Sequence, residues 1–173
     1  ILGLLIMVIA IASAAPTVGA ETSRLDTIME MGVLKVGTTG DYKPFTYFDK
    51  EKGEFEGIDI DMAKSLATAL GVKLELVQTT WKNIVTDLVE GKYDVAMGGI
   101  SKRLSRQTSV FFTIPYLETG KAPITLKENA EKFQTLEQID QEGVRVIVNP
   151  GGTNESFARA NLKKATIVVH EDN

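Results

Sequence analysis

The feature that most constrains the fold is an alternation of two periodicities. The runs "VLKVGTT", "VKLELVQT" and "YDVAMGGI" are short, apolar and β-branched in the manner of buried strands. Between them lie segments with helical spacing. In "GIDIDMAKSLATALG", Ile60, Ala63, Leu66, Ala67 and Leu70 form one stripe, and Gly71 follows as a C-cap. From Trp81 to Glu90, the residues Ile84, Val85, Leu88 and Val89 repeat the pattern. Strand, helix, strand, helix, strand predicts a parallel sheet, because parallel neighbours need crossovers, and right-handed crossovers put helices on both faces. Ligands of such sheets bind beyond the carboxyl ends of the strands. Here those ends run into "GTTGDYKPF", "QTTW" and "GGISKRLSR".

A short helix precedes this unit: Ser23 and Asp26 have capping-box spacing, Leu25, Ile28 and Met29 share a face, and Gly32 closes it. A polar loop with turn signals at residues 49–53 connects the first strand to the next helix. At "IPYLETGKAPITL" the pattern changes to extended segments carrying Pro115 and Pro123, where one lobe ends and a crossing strand begins. A second α/β unit follows. It comprises a helix at "TLEQID" with Thr135 and Gln138 in capping-box spacing, the strand "VRVIV", a Gly-rich turn, a helix through Lys163 and the strand "TIVV". The expected division is a first lobe over 21–117, a crossing strand or hinge over 118–126 and a partial second lobe over 127–173.

Residues 1–20, "ILGLLIMVIAIASAAPTVGA", carry no charge, and their unbroken apolar part stops at Ala12. That is short of the roughly 18 residues a spanning helix needs. With small residues at Val18-Gly19-Ala20 the segment reads as a secretory signal peptide, leaving an exported chain that begins near Glu21 and no membrane attachment after cleavage. The chain opens on Ile1 without a positively charged leader and stops at Asn173, so it is expected to be cut at both ends. The absence of cysteine excludes a disulfide framework, and a single histidine argues against a His/Cys metal site. A net charge of -4 argues against nucleic acid or an anionic membrane as partner.

Three stretches carry candidate chemistry. The turn "NPGGTNE" lacks the Lys-Ser/Thr of a P-loop and is not G-x-G-x-x-G. It leaves a helix start with free N–H groups and the Thr153 hydroxyl, suited to one carboxylate, unless Gly151 and Gly152 only make the turn and Thr153 or Asn154 caps the helix. In "GGISKRLSRQ", Gly98 and Gly99 allow close approach to the backbone, Ser101 offers a hydroxyl, and Arg106 can grip a carboxylate with parallel hydrogen bonds. Lys102, Arg103 and Arg106 would otherwise be a solvated helix face. Trp81, Tyr42 and Phe45 all follow strand ends and can form an apolar wall for a ring-shaped ligand, or serve as core and rim packing. His170 reads as a strand-end surface residue.

In order, "LKVGTTGDYKPFTY", "GEFEGIDIDMAKSLATALG", "GKYDVAMGGISKRLSRQ" and "FFTIPYLETGKAPI" resemble the periplasmic solute-binding proteins of the polar amino acid type. Within that superfamily, "TTGDYKPF", "FQTLEQID", "VNPGGTNESFARANLKKA" and "HEDN" are similar to the bacterial cyclohexadienyl dehydratases, periplasmic enzymes that convert prephenate or arogenate to phenylpyruvate or phenylalanine. The resemblance implies an α/β, two-lobe periplasmic-binding-protein-like fold of type II that closes over its ligand, with the second lobe incomplete. It implies that Gly99, Ser101, Arg106 and the Thr153-Asn154 helix start hold a carboxylate, and that Tyr42 and Trp81 contact a ring. Lys121 and Asn149 match polar positions of the dehydratase active site. The proton donor of these enzymes is a Glu that falls beyond Asn173, and Glu155, close to the turn, is expected to face solvent or backbone N–H groups instead.

Prephenate carries two carboxylates and a ring hydroxyl, and losing CO2 and water together aromatises the ring without metal or cofactor. The site must protonate the leaving hydroxyl and orient both ends of the molecule. The expectation is a cofactor-free carbon-oxygen lyase acting on a small carboxylate, with residues 1–173 inactive by themselves. The rival is an amino-acid receptor of an ABC transporter. A receptor needs a carboxylate for the ligand's ammonium, whereas prephenate accepts cations at both ends, so Lys121 favours the enzyme.

Overall fold

A computed structural model describes residues 23–171, so the signal-peptide reading of residues 1–20 and the end of "HEDN" lie outside the described residues. The first lobe contains, in chain order, α1 (Arg24–Met31), β1 (Val33–Thr38), β2 (Asp41–Tyr42), β3 (Thr46–Asp49), β4 (Glu54–Glu56), α2 (Ile58–Leu70), β5 (Lys73–Gln78), α3 (Ile84–Val89), β6 (Val95–Ala96) and α4 (Leu104–Gln107). A 3-10 turn over Lys127–Lys132 leads into α5 (Leu136–Ile139), β7 (Arg145–Val148), α6 (Thr153–Asn161) and β8 (Thr166–Val169).

The alternating pattern produces the expected parallel sheet, in the order β5-β1-β6. Leu34 and Val36 point from β1 to one face, where they pack with Ile28 of α1 and Ala63 and Ala67 of α2. On the other face Gly37 lies beneath the Tyr93 ring, which occupies the place a side chain at 37 would take. The Tyr93 hydroxyl donates to the Ile84 carbonyl at 2.6 Å and so ties α3 to the sheet. Burial of Ile28, Ile60, Ala63, Ala67 and Ile84 follows the helical stripes. Leu25, Met29, Leu66 and Val89 stay exposed, because the narrow sheet covers only part of each stripe.

Several elements differ from the sequence expectation. The loop after β1 is an antiparallel sheet, β2-β3-β4, in which Phe48 and Phe55 pair edge-to-face at 4.8 Å. Its turn is where the sequence indicated, with the Asp49 carboxylate accepting the Glu51 and Lys52 N–H groups. β6 is shorter than "YDVAMGGI" because Gly98 (φ 150°) and Gly99 (φ 68°) turn the chain out of extended geometry. Residues 118–126 form no strand: a strand requires a ladder partner, none pairs with this segment among the described residues, and Ile124 and Leu126 are exposed.

In the second unit β7 and β8 pair in parallel, with Val148, Ala158 and Leu162 at the centre of a core that shares no residue with the first. Thr135 and Gln138 close the predicted capping box on α5. α6 stops at Asn161 rather than continuing through Lys163, because Asp140 Oδ1 captures the N–H groups of Lys163, Lys164 and Ala165 at 2.7–2.9 Å.

Candidate functional site

The first half of the site is built where β6 ends. Gly99 adopts a left-handed φ of 68° and lies so close to two rings that a Cβ there would come within 2.8 Å of Tyr42 and Phe45. Its N–H is taken by Asp59 at 2.6 Å, so what Gly99 offers a ligand is its carbonyl and its lack of a side chain. A turn later Arg106 projects from α4 into the interior and is only 8% exposed, which rules out the solvated-face reading for this residue, whereas Lys102 is exposed. Its Nη1 donates to the Ser101 carbonyl at 3.0 Å, aiming the guanidinium at the Gly99–Ser101 corner. Among the described residues Arg106 is in no ion pair. Desolvation, and then the nearby Arg103 charge, depress its pKa, as burial without a counter-charge does.

Tyr42, Phe45 and Trp81 come together as a wall beside this corner. Tyr42 lies 5.1 Å from Phe45 and meets Trp81 edge-on at 5.9 Å. The Trp81 indole N–H donates to both oxygens of Asp41 at 2.9–3.0 Å, which fixes the ring plane.

The second half is the start of α6. The N-cap is Gly152, without a side-chain cap, so Thr153 and Asn154 lie within the helix and do not cap it. Both side chains instead receive Lys121: Nζ donates to Thr153 Oγ1 at 2.9 Å and Asn154 Oδ1 at 2.6 Å. Desolvation first, and Arg103 second, push the Lys121 pKa down. Arg103 itself reaches across to Ser156 Oγ at 3.4 Å. Asn149 is 7% exposed, and its Oδ1, like Thr39 Oγ1, is buried without a hydrogen-bond partner among the described residues, so it keeps acceptor capacity beside the α6 turn. Glu155 accepts the Gly151 N–H at 2.7 Å and pairs with Arg159 at 2.8 Å. These contacts, the backbone bond foremost, hold its carboxyl below the usual range, so it is a helix-start anion rather than a proton donor.

The turn before α6 also touches the first lobe. Gly151 (φ 71°) packs on the backbone of Lys82, where a Cβ would come within 2.9 Å. Asp59, Tyr116, Arg103 and Asp41 are the contributors that pattern reading missed. An aspartate between Ile58 and Ile60 at a helix start looks like any polar residue in a first turn, and only the tertiary contacts reveal it as buried. His170 is exposed after β8, its backbone N–H on the Val148 carbonyl. A concavity of about 340 Å³ bounded by Phe133, Val144, Arg145, Ile147 and Val168 lies elsewhere and shares no residue with the site.

The family model of bacterial extracellular solute-binding proteins, family 3, matches residues 34–171. The chain belongs to this family. Among family 3 relatives, the cyclohexadienyl dehydratase of Pseudomonas aeruginosa is 58% identical over 160 residues, which cover 92% of this chain and 59% of that protein. The crystal structure of an ancestral amino acid-binding protein, a precursor of cyclohexadienyl dehydratase, is 44% identical with a TM-score of 0.83, over 87% of this chain and 66% of that one. An ancestral cyclohexadienyl dehydratase is 56% identical with a TM-score of 0.56, over 88% and 63%. The chain therefore spans about six tenths of the length of the curated relative it matches. As the resemblance implied, the family 3 fold of this chain is the α/β periplasmic-binding-protein-like one.

Proposed function

We propose that this chain is the ligand-gripping part of a periplasmic cyclohexadienyl dehydratase, exported by the signal peptide at residues 1–20. Its reaction is the cofactor-free decarboxylative dehydration of prephenate to phenylpyruvate and of arogenate to phenylalanine. The observation that carries this reading is a pair of cations on one site: buried Arg106 and, at the α6 start, Lys121, neither ion-paired among the described residues. A molecule with two carboxylates, as prephenate has, satisfies both. The 58% identity to the Pseudomonas enzyme points the same way.

In this reading Arg106 and the Ser101 hydroxyl, with Thr153, Asn154 and the α6 N-terminus, hold the side-chain carboxylate, and Gly99, whose N–H is taken by Asp59, leaves room for its approach. Tyr42 and Trp81 flank the ring. Lys121 and Asn149, whose Oδ1 has no hydrogen-bond partner among the described residues, serve the reacting end, where the departing hydroxyl needs a proton. The acid that delivers it is assigned, by family resemblance, to a Glu beyond Asn173. Lobes divided at 21–117 and 127–173, with residues 118–126 as the hinge, supply closure around the ligand.

The rival reading, an amino-acid receptor, is favoured by the similarity to an amino acid-binding precursor. Asp41, the carboxylate beside the aromatic wall, holds the Trp81 indole N–H with both oxygens and is the group that would meet the ammonium of a free amino acid or of arogenate. The two separate in one assay. The full-length gene product is incubated with prephenate and phenylpyruvate is followed by absorbance. Steady formation is expected, whereas calorimetric binding of a free amino acid with no phenylpyruvate assigns the protein to the receptors.

A further inference from the structure

Asp59 is a carboxylate that the proposed reaction does not use. It sits in the first turn of α2 and is 1% exposed, on a face otherwise lined by Ile60, Ala63 and Ala67. Among the described residues no cation pairs with it. Neutral donors hold it instead: the Gly99 N–H at 2.6 Å, and the Tyr116 hydroxyl at 2.8 and 2.9 Å to its two oxygens. The positive end of the α2 dipole adds to these. A carboxyl group buried on such terms is weak evidence of stabilisation. What it supplies is a fixed geometry between its donors.

Those donors belong to different parts of the molecule. Gly99 is the corner of the carboxylate cradle, in contact with the rings of Tyr42 and Phe45. Tyr116 belongs to the segment that leaves the first lobe and carries Lys121 to Thr153 and Asn154. The Tyr116 ring is half exposed while its hydroxyl points inward. Desolvation, and then the Asp59 carboxylate, push its pKa up, so it stays a donor throughout the physiological range.

We propose that Asp59 is a positioning residue that holds the ligand corner at Gly99 and the root of the inter-lobe segment at Tyr116 in one register. Anion capture at Arg106 and placement of Lys121 then depend on each other through a side chain that touches neither ligand nor Lys121. The proposal rests on the carboxylate-site reading above.

The test uses the full-length gene product, with prephenate as probe, and measures kcat/KM, calorimetric binding and thermal melting. Tyr116→Phe, which removes one hydroxyl from a half-exposed ring, is expected to lower kcat/KM and affinity by about tenfold. Asp59→Asn loses at least as much, and the double variant is no worse than Asp59→Asn alone. If Asp59→Asn fails to fold, Tyr116→Phe still decides. A lower melting temperature with unchanged kcat/KM and affinity, or losses that simply add in the double variant, overturns the proposal. Arg106→Ala separates the two readings. If it loses prephenate binding while Tyr116→Phe binds normally, only the positioning role falls. If Arg106→Ala binds prephenate normally, or the unaltered protein does not bind it, the carboxylate site falls and the positioning role with it.

Discussion

Arg106 is a buried cation whose side chain has one hydrogen-bond partner among the described residues. At 8% exposure and without an ion pair among the described residues, the guanidinium pays its desolvation cost with only the Ser101 carbonyl in return. Charge-assisted hydrogen bonds contribute about 1.5 to 3 kcal/mol, so Arg106→Ala is expected to weaken carboxylate binding roughly 10- to 100-fold, as calorimetry would read. Gly99→Ala is expected to cost about 1 to 3 kcal/mol of stability. The new methyl meets a left-handed φ and the Tyr42 and Phe45 rings together, and chemical denaturation would measure the loss. Arg106, Trp81 and Tyr42 stand out in the sequence by residue type, in the segments that follow the three parallel strands. Asp59 does not, since nothing local distinguishes a buried first-turn aspartate from an exposed one.

At the level of elements, the helices announce themselves through their ends. The Ser23–Asp26 and Thr135–Gln138 capping boxes form as spaced, and Gly32 and Gly71 close α1 and α2 in left-handed conformation. Thr135→Ala is expected to remove about 1 kcal/mol, visible as a lower denaturation midpoint. Asp140 joins α5 to the α6–β8 connection through successive backbone N–H groups, and these bonds, with Ala165 foremost, hold its carboxyl below the ordinary range. A carboxyl depressed in the folded state contributes stability that is whole above its unfolded pKa, near 3.9. That contribution is lost as pH falls through the lower folded value. Asp140→Asn is therefore expected to lower stability at pH 7 and to shrink the loss between neutral and strongly acidic conditions, measured as melting temperature against pH. The short strands β2 to β4 escape sequence reading because alternation over so few residues carries little signal. Residues 118–126 mislead in the opposite direction: prolines and β-branched residues mark an extended chain, but only a partner makes it a strand.

The described residues hold two separate cores joined by the segment that Tyr116 roots and Lys121 anchors. The parallel sheet and the second α/β unit can be read from periodicity alone, whereas the points where they meet cannot, because contacts such as Arg103 with Ser156 and Gly151 with Lys82 join residues far apart in sequence. Gly151→Ala is expected to push the α6 turn away from the first lobe. Small-angle scattering of the ligand-bound full-length protein would then give a larger radius of gyration, with weaker binding in parallel. The same contact gives the protein a built-in optical signal. Trp81, the one tryptophan in this sequence, precedes the lysine on which Gly151 rests, and it stands edge-on to Tyr42 beside the candidate ligand wall. Movement of the α6 turn against Lys82 is expected to alter the polarity around that indole, so a shift in its emission on adding ligand, without any label, would report capture and release.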